Sequence, residues 1–243
     1  MTLLALKNVG IRFGGLKALD DVSLSVDSGE IVGIMGANGA GKTTLFSLIA
    51  GHQKPGSGHI LFDGRNIAGL RPDAINRRGI ARTFQIVRPF RSMTVRENVM
   101  IGALFGAGAD ETLAAAEKDA ARILHEVGLA GEADLPAGAL TLAGQKRLEI
   151  ARALATRPRL LLLDEVMAGL TPTEVAAARD MIRRLHKDHA LTILIIEHVM
   201  TALMELGRRI VVLHHGLKIA EGTPDAIAAS PRVQEAYLGQ PAA

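Results

Sequence analysis

The residues with the clearest chemical meaning form a glycine-rich loop near the amino terminus. Residues 36–43 read G-A-N-G-A-G-K-T and follow the apolar run Ile31–Met35. This order of a strand, a glycine-rich turn and a helix predicts a phosphate-binding loop for a nucleoside triphosphate. The glycines let the backbone curl around phosphate, and successive N–H groups supply partial positive charge. A chance match is disfavoured by the helical pattern of Leu45, Leu48 and Ile49 that follows.

Individual side chains of this loop have predicted roles. Lys42 should reach the β- and γ-phosphates, and the Thr43 hydroxyl should bind a magnesium ion. The residues that we expect to contact the nucleotide are Gly36, Asn38, Gly39, Ala40, Gly41, Lys42, Thr43 and Thr44.

Two neighbouring carboxylates follow a second apolar run. Residues 160–163 are consecutive leucines, and Asp164 and Glu165 come next. Ligands and catalytic groups of open α/β sheets gather at the carboxyl ends of the strands. We expect Asp164 on the magnesium side of the site and Glu165 as the general base that polarises water. The alternative is an ordinary acidic turn, which the upstream phosphate loop disfavours.

Two further polar residues are candidates for catalysis. Gln85 follows a short strand-like segment, and its amide can ligate magnesium and orient water without carrying charge. His198 follows the apolar run 193–196, after Glu197, and can donate to a γ-phosphate. Taken alone, a glutamine carries little weight, and a histidine at such a place is more often a structural hydrogen-bonding group.

The composition limits the class of protein. The 243 residues are 48% hydrophobic, and they hold no cysteine and no run of 18 apolar residues. Disulfides, thiolate metal sites and a membrane-spanning helix are therefore not expected. We expect a cytoplasmic chain, because Met1 opens directly on a strand-like segment without a leader. The net charge of +3 is dispersed, which favours a mildly basic surface over a nucleic-acid partner.

The order of elements predicts the fold class. Period-two alternation predicts strands within residues 3–35, and an antiparallel hairpin is expected around His215 and Gly216. Caps and apolar periodicity predict helices, at about 95–104, 111–127, 144–154 and 173–187, and after Thr223 and Ser230. We therefore expect an α/β protein with a mostly parallel core sheet, an antiparallel β layer and a helical subdomain. The predicted core is residues 1–93 and 156–243, and the predicted subdomain is 94–155.

These motifs, taken in order, resemble the ATP-binding subunit of an ABC transporter over nearly the whole chain. The resemblance rests on residues 36–43, Gln85, 140–152, 164–165 and His198. In that family they are the Walker A loop, Q-loop, signature motif, Walker B strand and H-loop histidine. The resemblance implies the P-loop ABC ATPase fold, with ATP and Mg²⁺ as cofactors and Thr43, Gln85 and Asp164 on the metal. It also implies that Phe13 stacks on adenine.

The signature segment departs from the family pattern Leu-Ser-Gly-Gly-Gln. A gapless alignment gives residues 140–144 as Leu-Thr-Leu-Ala-Gly, so Thr141 keeps a hydroxyl for the γ-phosphate while Ala143 replaces a glycine. A one-residue slip aligns Ala143, Gly144 and Gln145 with Gly-Gly-Gln instead. Both registers stay open, and Thr141, Ala143 and Gly144 are candidate nucleotide contacts in either. The D-loop position, residues 168–171, carries Thr171 where the family has an acidic or amide residue.

Within the family, three stretches resemble the ATPases of branched-chain amino acid importers. They are residues 12–19, 81–98 and the tail 222–239. The resemblance implies a head-to-tail partner ATPase (a second copy or a paralogue), integral-membrane permease subunits, a solute-binding protein and a place at the cytoplasmic face of the membrane. The tail also resembles lipopolysaccharide-export and urea-importer ATPases. The sequence leaves open a soluble ABC ATPase, a small-molecule kinase and a scaffold without turnover, and it does not name the transported substrate.

Overall fold

The computed structural model describes residues 1–107 and 112–238, and of Tyr237 and Leu238 only the backbone. The chain divides into two compact units. The first combines residues 1–72 with the described residues from 192 onward, and the second spans Asp73–Leu191. The predicted boundaries of the helical subdomain, 94 and 155, fall within the second unit and stay a prediction.

The first unit contains an antiparallel sheet. Its strands are β1 (Thr2–Phe13), β2 (Leu16–Asp27), β4 (Ser57–Phe62) and β5 (Arg65–Asn66), in the order β2-β1-β4-β5. In β2 the buried residues Val22, Leu24 and Val26 alternate with less buried polar residues, as expected for a strand with one face packed on a core, whereas β1 also buries consecutive residues at 3–4 and 9–11. The predicted antiparallel β layer is confirmed.

A second group of strands in this unit is mainly parallel. β3 (Ile31–Met35) lies between β8 (Thr192–Ile196) and β9 (Arg209–His214) and runs parallel to both, while β10 (Leu217–Gly222) pairs antiparallel with β9. Every residue of β3 and β8 is buried, which explains the apolar runs at 31–35 and 193–196. The predicted hairpin at His215 and Gly216 is confirmed, and the helices of this unit are α1 (Lys42–Ile49), α7 (Met200–Leu206), α8 (Pro224–Ala228) and α9 (Pro231–Leu238).

The second unit pairs two parallel strands with a group of helices. Its strands are β6 (Ile80–Arg82) and β7 (Leu160–Asp164). Its helices are α3 (Val95–Phe105), α4 (Leu113–Glu126), α5 (Leu142–Ala155) and α6 (Pro172–Asp188), and α2 (Pro72–Asn76) begins at its boundary. α3, α4 and α5 pack against one another. The predicted α/β class with parallel and antiparallel strands and a helical part is confirmed.

Capping residues set the starts of three helices in this unit. Thr94 forms the predicted capping box with Glu97 at the start of α3. α5 begins two residues before the predicted Gly144, because the Thr141 hydroxyl accepts from the Gly144 N–H. Thr171 caps α6 in a second capping box with Glu174, so this helix begins at Pro172. The predicted start of α4 at residue 111 lies outside the described residues.

No helix among residues 1–107 and 112–238 is both long and apolar enough to cross a membrane.

Candidate nucleotide-binding site

The phosphate loop joins β3 to α1 in the first unit. Gly39 and Gly41 have φ angles of 79° and 104°, which residues with a side chain rarely adopt. A Cβ on Gly41 would also lie 2.6 Å from the carbonyl oxygen of Ala18. The first turn of α1 contains no acidic residue. The loop therefore needs its glycines, and it presents a helix N-terminus whose partial positive charge suits an anion.

Lys42 lies against this loop. Its Nζ donates to the carbonyl oxygens of Gly36 at 2.5 Å and Ala37 at 3.1 Å, and its side chain is buried. Thr43 is exposed beside it at the start of α1, as are Asn38 and Gly39 within the loop, whereas Ala40 and Gly36 are buried and Thr44 is half-buried. The loop thus combines an ordered ammonium with accessible backbone and hydroxyl groups.

His198 lies at the same edge of the strands as the phosphate loop. Parallel pairing sets Ile34 of β3 opposite Ile196 of β8, so the loops that follow both strands leave from one edge. His198 is exposed two residues after β8. The structure therefore brings His198 to the edge from which Gly36 begins the phosphate loop.

Phe13 ends β1 in a tight turn with Gly14 and Gly15, and 46% of its surface is exposed. The returning strand β2 passes the phosphate loop, because the Ala18 carbonyl lies next to Gly41. An exposed aromatic ring on this hairpin is available for stacking on a planar base.

Asp164 is buried at the end of β7 in the second unit. Its Oδ2 accepts from Nη2 of Arg82 at 2.8 Å, and both side chains are almost fully buried. Burial raises the pKa of the Asp164 carboxyl, and the Arg82 guanidinium opposes that rise. Oδ1 of Asp164 is buried without a hydrogen-bond partner among the described residues. A buried acceptor of this kind fits a hydrated cation, so the donor set suits Mg²⁺.

Gln85 and Glu165 meet in the same unit. The Gln85 amide donates from Nε2 to Oε2 of Glu165 at 2.7 Å. Glu165 itself has a positive φ of 51°, a conformation that points to a constrained turn after β7. Lys146 of α5 donates to the backbone carbonyl oxygens of both residues. The structure therefore brings together the two residues that the sequence singled out for handling water.

The signature segment forms the start of α5. Thr141 and Leu142 are exposed at this helix end, while Ala143 and Gly144 are buried. A Cβ on Gly144 would lie 3.2 Å from that of Leu140. The methyl group of Ala143 lines a pocket of about 220 Å³ inside the second unit. The exposed groups at this helix end are therefore the Thr141 hydroxyl and the Leu142 side chain.

Two residues of the site carry no role in the sequence analysis. Arg82 occurs in that part only within the stretch 81–98, and Lys146 only within residues 140–152. Neither residue was assigned a contact with the nucleotide or the metal, and the partners of both lie at distant positions in the chain, so no local spacing signals their roles. A basic residue within a mostly apolar strand, such as Arg82 in β6, is the one available hint, since a buried charge requires a partner.

Comparison with known proteins gives consistent matches over the whole chain. Residues 19–168 match the family model described as ABC transporter, and residues 218–243 match that of the branched-chain amino acid ATP-binding cassette transporter. The chain is 41% identical to the high-affinity branched-chain amino acid transport ATP-binding protein BraF of Pseudomonas aeruginosa, covering 98% of both chains. It is 40% identical to LivG of Escherichia coli with the same coverage. It is also 35% identical to the lipopolysaccharide export ATP-binding protein LptB of Escherichia coli, covering 99% of this chain and 98% of that one.

Solved structures give the same result. The ADP conformation of an ATP-binding cassette of an ABC transporter is 32% identical, with a TM-score of 0.88 and coverage of 99% of this chain and 100% of that one. A dimeric cassette bound to ADP and phosphate after hydrolysis is 26% identical, with a TM-score of 0.82 and coverage of 91% and 99%.

Proposed function

Since this chain belongs to the ABC transporter family of ATP-hydrolysing subunits, we propose that it energises an importer of branched-chain or related amino acids. The observation that carries the importer assignment is the match of residues 218–243 to the branched-chain cassette model. The tail that resembled importer ATPases, residues 222–239, lies within this matched segment. Gly239 of the tail lies outside the described residues. The permease and the solute-binding protein select the substrate.

Binding of ATP is assigned to the phosphate loop and the β1–β2 hairpin. Lys42, whose ammonium lies against the loop carbonyls, holds the β- and γ-phosphates. Phe13 stacks on the adenine ring. Thr43, Gln85 and Asp164 are the residues that would hold Mg²⁺, and the buried Oδ1 of Asp164, which has no hydrogen-bond partner among the described residues, supports this role. Mg²⁺ neutralises charge on the β- and γ-phosphates when it is bound.

Hydrolysis is assigned to the Gln85–Glu165 pair. Glu165 accepts the proton of the attacking water as general base, and the amide of Gln85 fixes its carboxylate. His198 donates to the γ-phosphate from the edge of β3 and β8. The N-terminus of α5, with Thr141, Ala143 and Gly144, serves the ATP of a second ATPase chain, either another copy or a paralogue.

The surface that binds a cytoplasmic helix of the permease is assigned to the segment from Gln85 to Glu97. Phe84, Ile86 and Phe90 expose 41%, 69% and 45% of their surface at or beside this segment. Three large apolar side chains exposed within seven residues favour a partner helix over water. When this surface binds the permease, the chain lies at the cytoplasmic face of the membrane.

The experiment is an ATP-dependent pull-down of the tagged Glu165→Gln chain from detergent-solubilised native membranes, read by mass spectrometry. Recovery of two permeases and a second ATPase supports the importer. The second candidate is the ATPase of a lipid or lipopolysaccharide exporter, and it is suggested by the 35% identity to LptB. Recovery of such an export system supports this candidate. Recovery of this chain alone, or with ribosomal proteins, contradicts a transport role. The Lys42→Ala chain, which we expect not to bind ATP, is the matched control.

A further inference from the structure

Lys146 is a buried cation one turn into α5, and the proposed mechanism gives it no role. Only 5% of its surface is exposed. Its Nζ donates to the carbonyl oxygen of Gln85 at 3.0 Å and to that of Glu165 at 2.8 Å. A buried ammonium is retained only where its hydrogen bonds offset the loss of hydration.

These bonds close a ring around the two residues assigned to hydrolysis. Gln85 and Glu165 contact each other through their side chains, and Lys146 joins them through their backbone oxygens. The ring fixes both ends of each residue, so the direction of the Glu165 carboxylate depends on the Lys146 ammonium. The ring has charge-assisted hydrogen bonds at both the Lys146 ammonium and the Glu165 carboxylate, and such bonds are stronger than neutral ones.

The same face of α5 holds the rest of the segment after Gln85. Glu149 Oε1 accepts from the Arg88 N–H at 3.0 Å, and Arg152 Nη1 donates to the Arg88 carbonyl at 3.0 Å. The Arg152 guanidinium lies 5.0 Å from the centre of the Phe90 ring. Lys146, Glu149 and Arg152 are three residues apart and therefore share one helix face. α5 thus anchors residues 85–90 at three points.

We propose that Lys146 is a positioning residue that links the signature end of α5 to the Gln85–Glu165 pair of the same chain. This inference rests on the proposed function, in which Thr141 and its neighbours contact the ATP of the partner chain. Engagement of the partner's ATP by this helix end is passed through Lys146 to this chain's own general base.

The test compares Lys146→Met, which keeps the length and removes the donor, with Lys146→Arg, which keeps the charge. Lys118→Met, on an exposed part of α4, is the matched control. In Lys146→Met we expect kcat to fall by about 10- to 100-fold, the cost of a misplaced catalytic group, with ATP affinity unchanged. Lys146→Arg should recover most of that loss. Combining Lys146→Met with Glu165→Gln should give no further loss, because both changes act through the same carboxylate.

A readout that does not depend on activity is amide hydrogen exchange of residues 85–90 in the ATP-free chain. Exchange should be faster in Lys146→Met and unchanged in Lys118→Met. Wild-type kcat in Lys146→Met, unchanged exchange, or an equal loss of ATP affinity and turnover overturns the proposal. If Lys146→Met does not fold, Lys146→Gln, which keeps one donor, is measured against the same criteria.

Failure of the proposed function gives a different pattern. If Glu165→Gln hydrolyses ATP normally, the general base is misassigned, whatever Lys146 does. If Glu165→Gln is inactive while Lys146→Met is normal, only the positioning role is wrong.

Discussion

The side-chain amide of Gln85 donates to the carboxylate of Glu165 across 2.7 Å, although the two residues are 80 positions apart in the chain. The contact places a neutral donor on the proposed general base. It leaves the Gln85 Oε1 as the amide atom suited to a cation, because an amide nitrogen cannot ligate one.

Glu165→Gln should bind ATP and hydrolyse it very slowly. The amide keeps the shape of the carboxylate but cannot accept the proton of water, so turnover should fall by about 10²- to 10⁴-fold. Single-turnover hydrolysis and equilibrium ATP binding measure the two effects separately. Glu117→Gln, on the exposed face of α4, is the control and should behave as wild type. Normal turnover in Glu165→Gln would assign the base to another residue.

Lys42→Ala should weaken ATP binding strongly. The phosphates lose a charged donor, which costs about 3 kcal/mol or about 100-fold in affinity, and the Gly36 and Ala37 carbonyls lose theirs. Titration with ATP followed by calorimetry measures the change. Lys7→Ala, an exposed lysine of β1, should leave affinity unchanged. Equal nucleotide affinity in Lys42→Ala and wild type would refute the site.

Arg82→Met should destabilise the protein by about 3–5 kcal/mol, because Asp164 remains buried without its countercharge. Adding Asp164→Asn should restore part of the loss, which urea unfolding of the two single variants and the double variant measures. Additive losses would show that Arg82 and Asp164 act independently.

The same variant should show a distinctive pH dependence. Burial already raises the pKa of Asp164, and loss of Arg82 raises that pKa further. Above the ordinary pKa of 3.8 the folded state then binds more protons than the unfolded state, so Arg82→Met should recover stability relative to wild type as the pH falls from neutral toward that value. A constant difference across this range would contradict the assignment.

Ala143→Gly should change ATP turnover if the signature segment limits one of two composite sites. The methyl group of Ala143 is buried and lines the pocket of about 220 Å³ in the second unit. Its removal takes away a packing contact and lets the start of α5 move more easily. A glycine within a helix costs about 1 kcal/mol in stability, so the control is Ala121→Gly on the exposed face of α4. If Ala143→Gly alters neither turnover nor transport, the altered signature has no functional consequence.

Glu30→Gln should lower stability at neutral pH and have little effect in acid. Arg209 donates from Nε and Nη2 to the two oxygens of Glu30, at 2.7 Å each. This hydrogen bonding lowers the pKa of Glu30, so its contribution is present above the ordinary pKa of 4.5 and is lost as the pH falls through the lower folded value.

We expect a loss of about 1–2 kcal/mol at neutral pH for Glu30→Gln, measured by urea unfolding. The exposed pair of Lys17 and Asp20 offers the control, since Asp20→Asn should cost less than about 1 kcal/mol. A loss in Glu30→Gln that persists unchanged in acid would mean that the side chain acts by packing alone.

The sequence by itself determined the fold class and the order of the motifs. The phosphate loop, the apolar strand before Asp164 and the capping box at Thr94 are contiguous patterns, and local physics fixes their conformations. The α/β class and the hairpin at His215 followed from such patterns and are confirmed. The starts of α5 and α6 differ from the predicted ones by one or two residues, because Thr141 and Thr171 act as caps that the apolar periodicity does not reveal.

The tertiary structure alone decided how buried charges are compensated. Arg82 is 82 positions from Asp164, and Lys146 is 61 from Gln85 and 19 from Glu165. No period or motif relates such positions, since their proximity depends on β6, β7 and α5 packing together. The physical reason is that a buried charge must find its partner in space, and the chain can supply that partner from any element that the fold brings near.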